Sequence, residues 1–258
     1  MPANYAHHRF GTQALATLPA DVRRPIQRFR RLYNIGLHGP DLFFYFNPFL
    51  KTATGALGRH FHSLSGQALF TQVCTRLHQH PSEAALAYLY GLLAHYGLDA
   101  ECHPFVEEKS TGAKFSHMEL EIEFDRFLMD KDGMKPPHTQ DLSGYFQITR
   151  GECITVSEFY PPATAANIHQ CIQNITLSLK ILATRHRKAL ETVLKPLPEV
   201  VAHQLMTQHP NHKCFHLDEA LLERYQTALD RYPSLVEQLT AHLNYNAQLG
   251  EDFAATFG

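Results

Sequence analysis

Histidines and carboxylates recur in this chain at spacings that would place them together on helix faces. His95 and Asp99 are four residues apart in an apolar stretch, so on a helix both project from one side, about one turn from each other. His103 follows four residues later in Asp99-Ala100-Glu101-Cys102-His103-Pro104, just past the expected end of that helix. His117 and Glu121 repeat the four-residue spacing in the next helical segment. Imidazoles and carboxylates from adjacent helices make the nitrogen-and-oxygen donor set that suits zinc. Asp99 sharpens the expectation, because a buried carboxylate is costly unless it is paired or metal-bound. No Lys or Arg lies between Pro81 and Asp99 to pair with it, so a divalent cation is the economical partner. Gly91, one turn before His95, leaves room for another backbone or a metal-bound group to approach.

Two further pieces lie upstream. The turn Ile35-Gly36-Leu37-His38-Gly39-Pro40-Asp41 can present Asp41 or His38 toward a site, and the aromatic run that follows it reads mainly as core. Gly58-Arg59-His60-Phe61-His62 offers two imidazoles, of which one needs to point inward. Ten of the 18 histidines precede residue 121, so the chemistry belongs to that half. The later tract His203, His209, His212 and His216 has a loop spacing without an acidic partner, and Arg185-His186-Arg187-Lys188 reads as a solvated helix face.

The elements that must hold these side chains read as helices. Residues 20–34 carry Val22, Ile26, Phe29 and Leu32 near a 3.6 spacing, with Pro25 close to the first turn. Residues 81–99 are apolar on nearly all sides, which marks a buried helix. A third helix spans 116–130, entered through the Ser116–Glu119 capping-box pattern. Residues 131–145, with Gly133, Pro136, Pro137 and Gly144, read as a loop, and in 143–160 short helix and short strand have the same pattern. Segments 164–193, 217–230 and 234–248 read as further amphipathic helices, the last with Pro233 near its start. The expected fold is all-α, one domain over 1–258 with the metal-binding motifs in 1–130 and supporting helices in 131–258.

Composition excludes several classes. With 44% hydrophobic and 19% charged residues, the chain can bury a sizeable core and is not expected to be disordered. Lys plus Arg number 23 against 25 Asp plus Glu, a balance that argues against stable nucleic-acid binding through a basic surface but not against an enzyme acting on phosphodiesters. The five scattered cysteines form no CxxC, and neither a signal-peptide core nor an apolar run of membrane-spanning length is present, so a soluble cytoplasmic protein is expected.

The order of these residues resembles the zinc-dependent phospholipase C family, whose wider relatives include the single-strand-specific zinc nucleases. Within it, Tyr5-Ala6-His7-His8-Arg9-Phe10-Gly11, Gly36-Leu37-His38-Gly39-Pro40-Asp41, Asp99-Ala100-Glu101-Cys102-His103-Pro104 and Glu121-Ile122-Glu123-Phe124-Asp125-Arg126-Phe127-Leu128 are similar to strings of a bacterial cytoplasmic branch. The resemblance implies an all-α fold holding two to three zinc ions. It assigns Asp41, one histidine of the 60/62 pair (His62 preferred), His95 and Asp99 to a first zinc, and His103, His117 and Glu121 to a second. His7 would join a third, with Asp99 bridging the first and third; His7 fits the motif, and His8 reads as a surface or supporting residue. Secreted members complete the third position with an N-terminal tryptophan, whereas this chain contains no Trp.

The implied activity is hydrolysis of a phosphate ester, phospholipid among the candidates, by a metal-activated water, with Asp41 and Asp99 as the carboxylates at its centre. The alternatives are a nuclease or small-phosphoester phosphatase on the same site, or a non-catalytic metal-binding protein.

Overall fold

The computed structural model describes residues 4–47, 50–183, 192 and 205–257. Helices account for the regular structure among them, and no strand forms beyond an isolated bridge between Ser65 and Thr256. The helices are α1 (Asn4–Thr17), α2 (Ala20–Arg28), α3 (Arg30–Gly36), α4 (Ala53–His62), α5 (Gly66–Gln79), α6 (Glu83–Ser110), α7 (His117–Lys131), α8 (Arg150–Ser157), α9 (Ala165–Leu182) and α10 (Asp218–Tyr245). A 3₁₀ segment, Gly39–Tyr45, carries Asp41 between α3 and α4.

The organising element is α6, which packs against α1, α2, α3, α7, α10 and the 3₁₀ segment. Its middle, from Tyr88 to Asp99, is continuously buried, as expected of a helix apolar all round. Ser82 starts it by accepting from Ala85 N–H. The helix does not stop near Asp99 as its sequence suggests but runs on through Pro104 to Ser110. His103 is therefore a helical residue, and His95, Asp99 and His103 form one stripe that drifts about 40° per step of four residues. Proline inside a helix forfeits one backbone bond and is normally disruptive. Here Phe105 and Val106, directly after Pro104, are buried in the core, and their packing holds the helix through the break. The same applies to α10, which passes through Pro233 and joins the two expected segments 217–230 and 234–248 into one helix.

Other differences are local. The expected helix over 20–34 is two, broken at Phe29 (φ −120°, ψ 45°), and Pro25 sits inside α2 rather than in its first turn. The loop 131–145 includes a 3₁₀ turn at Pro137–Thr139, and 143–160 resolves into a second such turn (Ser143–Phe146) followed by α8. Residues 185–188 and His203 lie outside the described residues, as does the end of the expected 164–193 helix. The capping box expected at Ser116 and Glu119 is present: Glu119 N–H donates to Ser116 Oγ at 3.2 Å and Ser116 N–H to Glu119 Oε2 at 2.8 Å.

Helices α3 and α6 cross at two glycines. A Cβ on Gly91 would lie 2.3 Å from Tyr33 O and 2.9 Å from Gly36 Cα, and one on Gly36 would lie 2.4 Å from Tyr88 O. The room at Gly91 thus admits another backbone. This close approach brings the turn after α3, with His38 and Asp41, down onto the His95 end of α6.

Because backbone rather than movable side chain fills the space, Gly91→Ala is expected to lower unfolding free energy by about 3 kcal/mol. Gly144→Ala, where nothing lies within 4 Å of the added carbon, should leave stability nearly unchanged in the same denaturant titration. Equal midpoints for both variants would contradict the crossing.

Candidate metal centre

At the centre of the site stands the Asp99 carboxylate, fully buried on α6. His95 Nε2 lies 3.2 Å from its Oδ2 and His7 Nε2 3.3 Å from its Oδ1. Neither Asp99 oxygen accepts a hydrogen bond. Nearby, His62 Nε2 lies 2.9 Å from Asp41 Oδ1, and neither of those atoms is aligned for a hydrogen bond. Donor atoms of His7, His95 and Asp99, and of Asp41, His62 and His95, gather in two groups whose members all lie within 4.8 Å of one another. Atoms that approach without bonding each other, buried where water is excluded, are arranged around points between them.

Each ring is aimed by its other nitrogen. His62 Nδ1 lies 2.6 Å from Gly58 O, and His95 Nδ1 lies 3.2 Å from Leu37 O. A carbonyl can only accept, so each Nδ1 carries a proton and each Nε2 is the nitrogen turned inward. Gly39, at φ +44°, supports this arrangement, since a Cβ there would meet His95 Cδ2 at 2.6 Å. His62 is held by the end of α4, whose Thr52 cap accepts from Gly55 N–H. Phe257 packs against both imidazoles, with ring centroids 6.0 Å from His62 and 5.8 Å from His95.

His7 is placed from a distance. Asp125 on α7 accepts the backbone N–H groups of Tyr5 and Ala6, each at 2.8 Å, so a residue about 120 positions away caps the first turn of α1. Asp132 adds Tyr5 Oη at 2.6 Å and Arg9 Nε at 2.6 Å. Burial raises the Asp125 carboxyl to about 7 against the two backbone donors, which favour its charged form.

The remaining ligand candidates form a more open arrangement. His117 Nε2 is 2.8 Å from Glu121 Oε1, and the His103 and His117 rings are 4.7 Å apart. Glu107 Oε2 lies 3.3 Å from His117 Nδ1. Burial lowers His103 to about 4 and His117 to about 3, so both imidazoles are neutral near pH 7, as ligands must be. At the first position, burial lifts Asp41 to about 6. Burial pulls His62 down, but the Asp41 carboxylate more than offsets it and its pKa ends above the usual value.

Of the eight residues expected from the sequence, the structure gathers His7, Asp41, His62, His95 and Asp99 in the two close groups, while His103 and Glu121 each neighbour His117 outside them. His60 is exposed, while His62 is buried. His8 stacks on Tyr145 at 3.5 Å rather than facing Asp99. Cys102 is buried and its thiol pKa is raised by burial, and His209, His212 and His216 are exposed. Glu123 is buried in a bidentate pair with Arg126. Sequence reading missed Asp125 and Phe257 as supports, whereas Glu107 is one of the glutamates near the site whose position allows a contact with a ligand imidazole.

The donor set fits zinc in type and in its orphaned buried atoms. Because metal must displace the proton that His62 holds, binding at pH 6 is expected to release protons from the Asp41–His62 pair. Calorimetric titration in two buffers of different ionisation enthalpy measures this, and identical heats in both would contradict it.

A family model described as zinc dependent phospholipase C matches residues 6–171, which include every residue of this cluster. The chain has no significant match among curated proteins or solved structures.

Proposed function

The chain belongs to the zinc-dependent phospholipase C family, and on that premise we propose that it is a phosphodiester hydrolase whose metal cluster is held by the eight residues above. The observation that carries the reading is the Asp99 carboxylate, fully buried between two imidazoles and hydrogen-bonded to neither. In this reading Asp41, His62, His95 and Asp99 hold one zinc, His103, His117 and Glu121 a second, and His7 with Asp99 a third.

Zinc held there supplies a water acidic enough to ionise near neutral pH and positive charge for the phosphoryl oxygens. The chain's own residues do the rest. Asp99 turns Oδ1 towards His7 and Oδ2 towards His95, so one carboxylate would serve as a donor on both sides. The backbone carbonyls of Gly58 and Leu37 keep Nε2 of His62 and of His95 turned inward, so no ligand must rotate when charge builds up. Asp41, Asp99 and Glu121 bring three negative charges against four to six positive charges from two to three zinc ions. The remainder is positive and suits an anionic ester. Phe257 closes the inner side against water, whereas Phe44, 37% exposed and 5.3 Å from the His62 ring, borders the outer side. A phosphate diester is therefore the substrate class, with phospholipid one member of it.

Zinc-loaded protein should hydrolyse at least one of three probes: phosphatidylcholine vesicles, a single-stranded DNA oligonucleotide, or bis(p-nitrophenyl) phosphate. His95→Ala should lose zinc and lower the rate at least about 100-fold, whereas exposed His60→Ala should stay within a few fold of the parent. Activity that survives His95→Ala or exhaustive chelation would overturn the proposal, as would a zinc-loaded protein inert on every probe.

A further inference from the structure

Helix α9 lies along the 3₁₀ segment that carries Asp41. Gln170 Nε2 donates to Asn47 Oδ1 at 3.1 Å, and Asn174 Nδ2 donates to Tyr45 O at 2.9 Å. One turn forward on α9 therefore steps back from Asn47 to Tyr45, so helix and segment run in opposite directions. Leu177 and Ile181 stand three and seven residues beyond Asn174, on the same stripe of the helix. They carry that stripe past Tyr45 towards Phe44, whose ring lies 5.3 Å from that of His62. An edge of α9 thus leads to the open side of the metal centre.

The side chains on this edge are apolar and unburied. Leu177 is 59% exposed and Ile181 46%, whereas Ile168, Ile172, Ile175 and Leu179 supply the buried face of α9. Leu50, tied to the segment by its N–H on Asn47 O at 2.8 Å, is 69% exposed, and Phe44 is exposed as well. Single exposed apolar residues are ordinary, but several along one edge mark an interaction face. Charge indicates its partner. No Asp or Glu occurs from Leu42 to Ser82 or within α9, while Lys51, Arg59 and Lys180 are exposed there. Each cation adjoins the apolar edge. Lys51 follows Leu50, Lys180 precedes Ile181, and Arg59 follows Gly58, where an added Cβ would meet the Phe44 ring at 2.9 Å. Apolar side chains among cations, without carboxylates, complement hydrocarbon that lies beneath anionic headgroups. A second copy of this chain would instead bring like charges face to face.

We propose that this edge, formed by Phe44, Leu50, Leu177 and Ile181 with the cations beside them, docks the protein on an anionic phospholipid surface. The proposal rests on the hydrolase reading and narrows its substrate to a diester presented by a membrane. Docking there brings the open side of the metal centre, bordered by Phe44, against the headgroups. A few apolar side chains and three cations give a reversible attachment that salt weakens.

The test reads binding apart from turnover. Zinc-loaded protein is floated with vesicles of phosphatidylglycerol and phosphatidylcholine in equal parts, and hydrolysis of soluble bis(p-nitrophenyl) phosphate is followed in parallel. The parent should float with these vesicles, and much less with pure phosphatidylcholine or at high salt. The double variant Leu177→Asp/Ile181→Asp should bind them at least about 10-fold more weakly, with hydrolysis of the soluble diester within about twofold of the parent and an unchanged melting temperature. Lys180→Glu should weaken binding by a smaller factor and reduce its salt dependence, and it tests the same edge if the double variant folds poorly. A parent that stays unbound at low salt would overturn the proposal, as would a double variant that floats like the parent. So would a concentration-dependent dimer, abolished by the two aspartates, in a protein that ignores vesicles, which would make the edge a contact between copies. Hydrolysis of the soluble diester without vesicle binding overturns the docking surface alone. Vesicle binding lost in the double variant, from a protein that hydrolyses no ester, would sink the hydrolase reading and leave the docking surface standing.

Discussion

A carboxylate buried in the middle of an apolar helix is the constraint to which the rest of the structure answers. Asp99 has no Lys or Arg before it in its own helix, Lys109 near the helix end pairs with Glu108, and neither Asp99 oxygen has a hydrogen bond. Left in that state as an anion, it would cost several kcal/mol in a low-dielectric interior. The chain meets it with imidazoles, not guanidinium or ammonium groups, and keeps Nε2 of two neighbouring rings turned inward through backbone carbonyls. Such an arrangement leaves the compensating charge to come from outside the polypeptide. Long-range architecture serves the same end. The Gly36–Gly91 crossing lowers the Asp41 turn onto α6, and Asp125 seats the first turn of α1 so that His7 arrives at Asp99.

The cluster also has a gradient of exposure. His7, His62, His95 and Asp99 are buried, whereas His103 is half-buried and the His117 side chain is 30% exposed. Electrostatic interactions are strongest where water is excluded, so the inner residues fix geometry and the outer group offers access. Phe257 behind the imidazoles and Phe44 beside His62 divide a dry side from a wet one. Under the proposed function, an ester would reach the metals from the wet side while its reacting phosphoryl group is held away from bulk solvent.

Much of this was legible in the sequence, for a specific reason. The pairs His95/Asp99 and His117/Glu121 follow from helical period, and the Ser116–Glu119 box announces the start of α7 from local hydrogen bonding alone. Periodicity also gave the all-α class. What escaped depends on partners far along the chain. Asp125 caps a helix about 120 residues away, Phe257 reaches the site from the far end of the described chain, and Glu123 is drawn inward by Arg126 and the Asn211 N–H. The prolines were misread in the opposite sense: Pro104 and Pro233 argue locally for helix ends, but core packing on both sides of each outweighs one lost backbone bond. His38 and His62 show the limit of spacing. A turn or a two-residue alternation offers a pair of side chains, and only the packed fold decides which points inward.

The central claim is that metal, not a proton or a water molecule, balances Asp99. Anomalous diffraction at the zinc absorption edge, from crystals grown without chelator, tests it most directly. The account predicts a strong peak about 2.0–2.2 Å from Asp99, His95, His62 and Asp41, with their hydrogen-bonded nitrogens still on the Gly58 and Leu37 carbonyls. An electron-density map with no anomalous peak there, and with the Asp99 oxygens bonded to water or to a protonated imidazole, would contradict it.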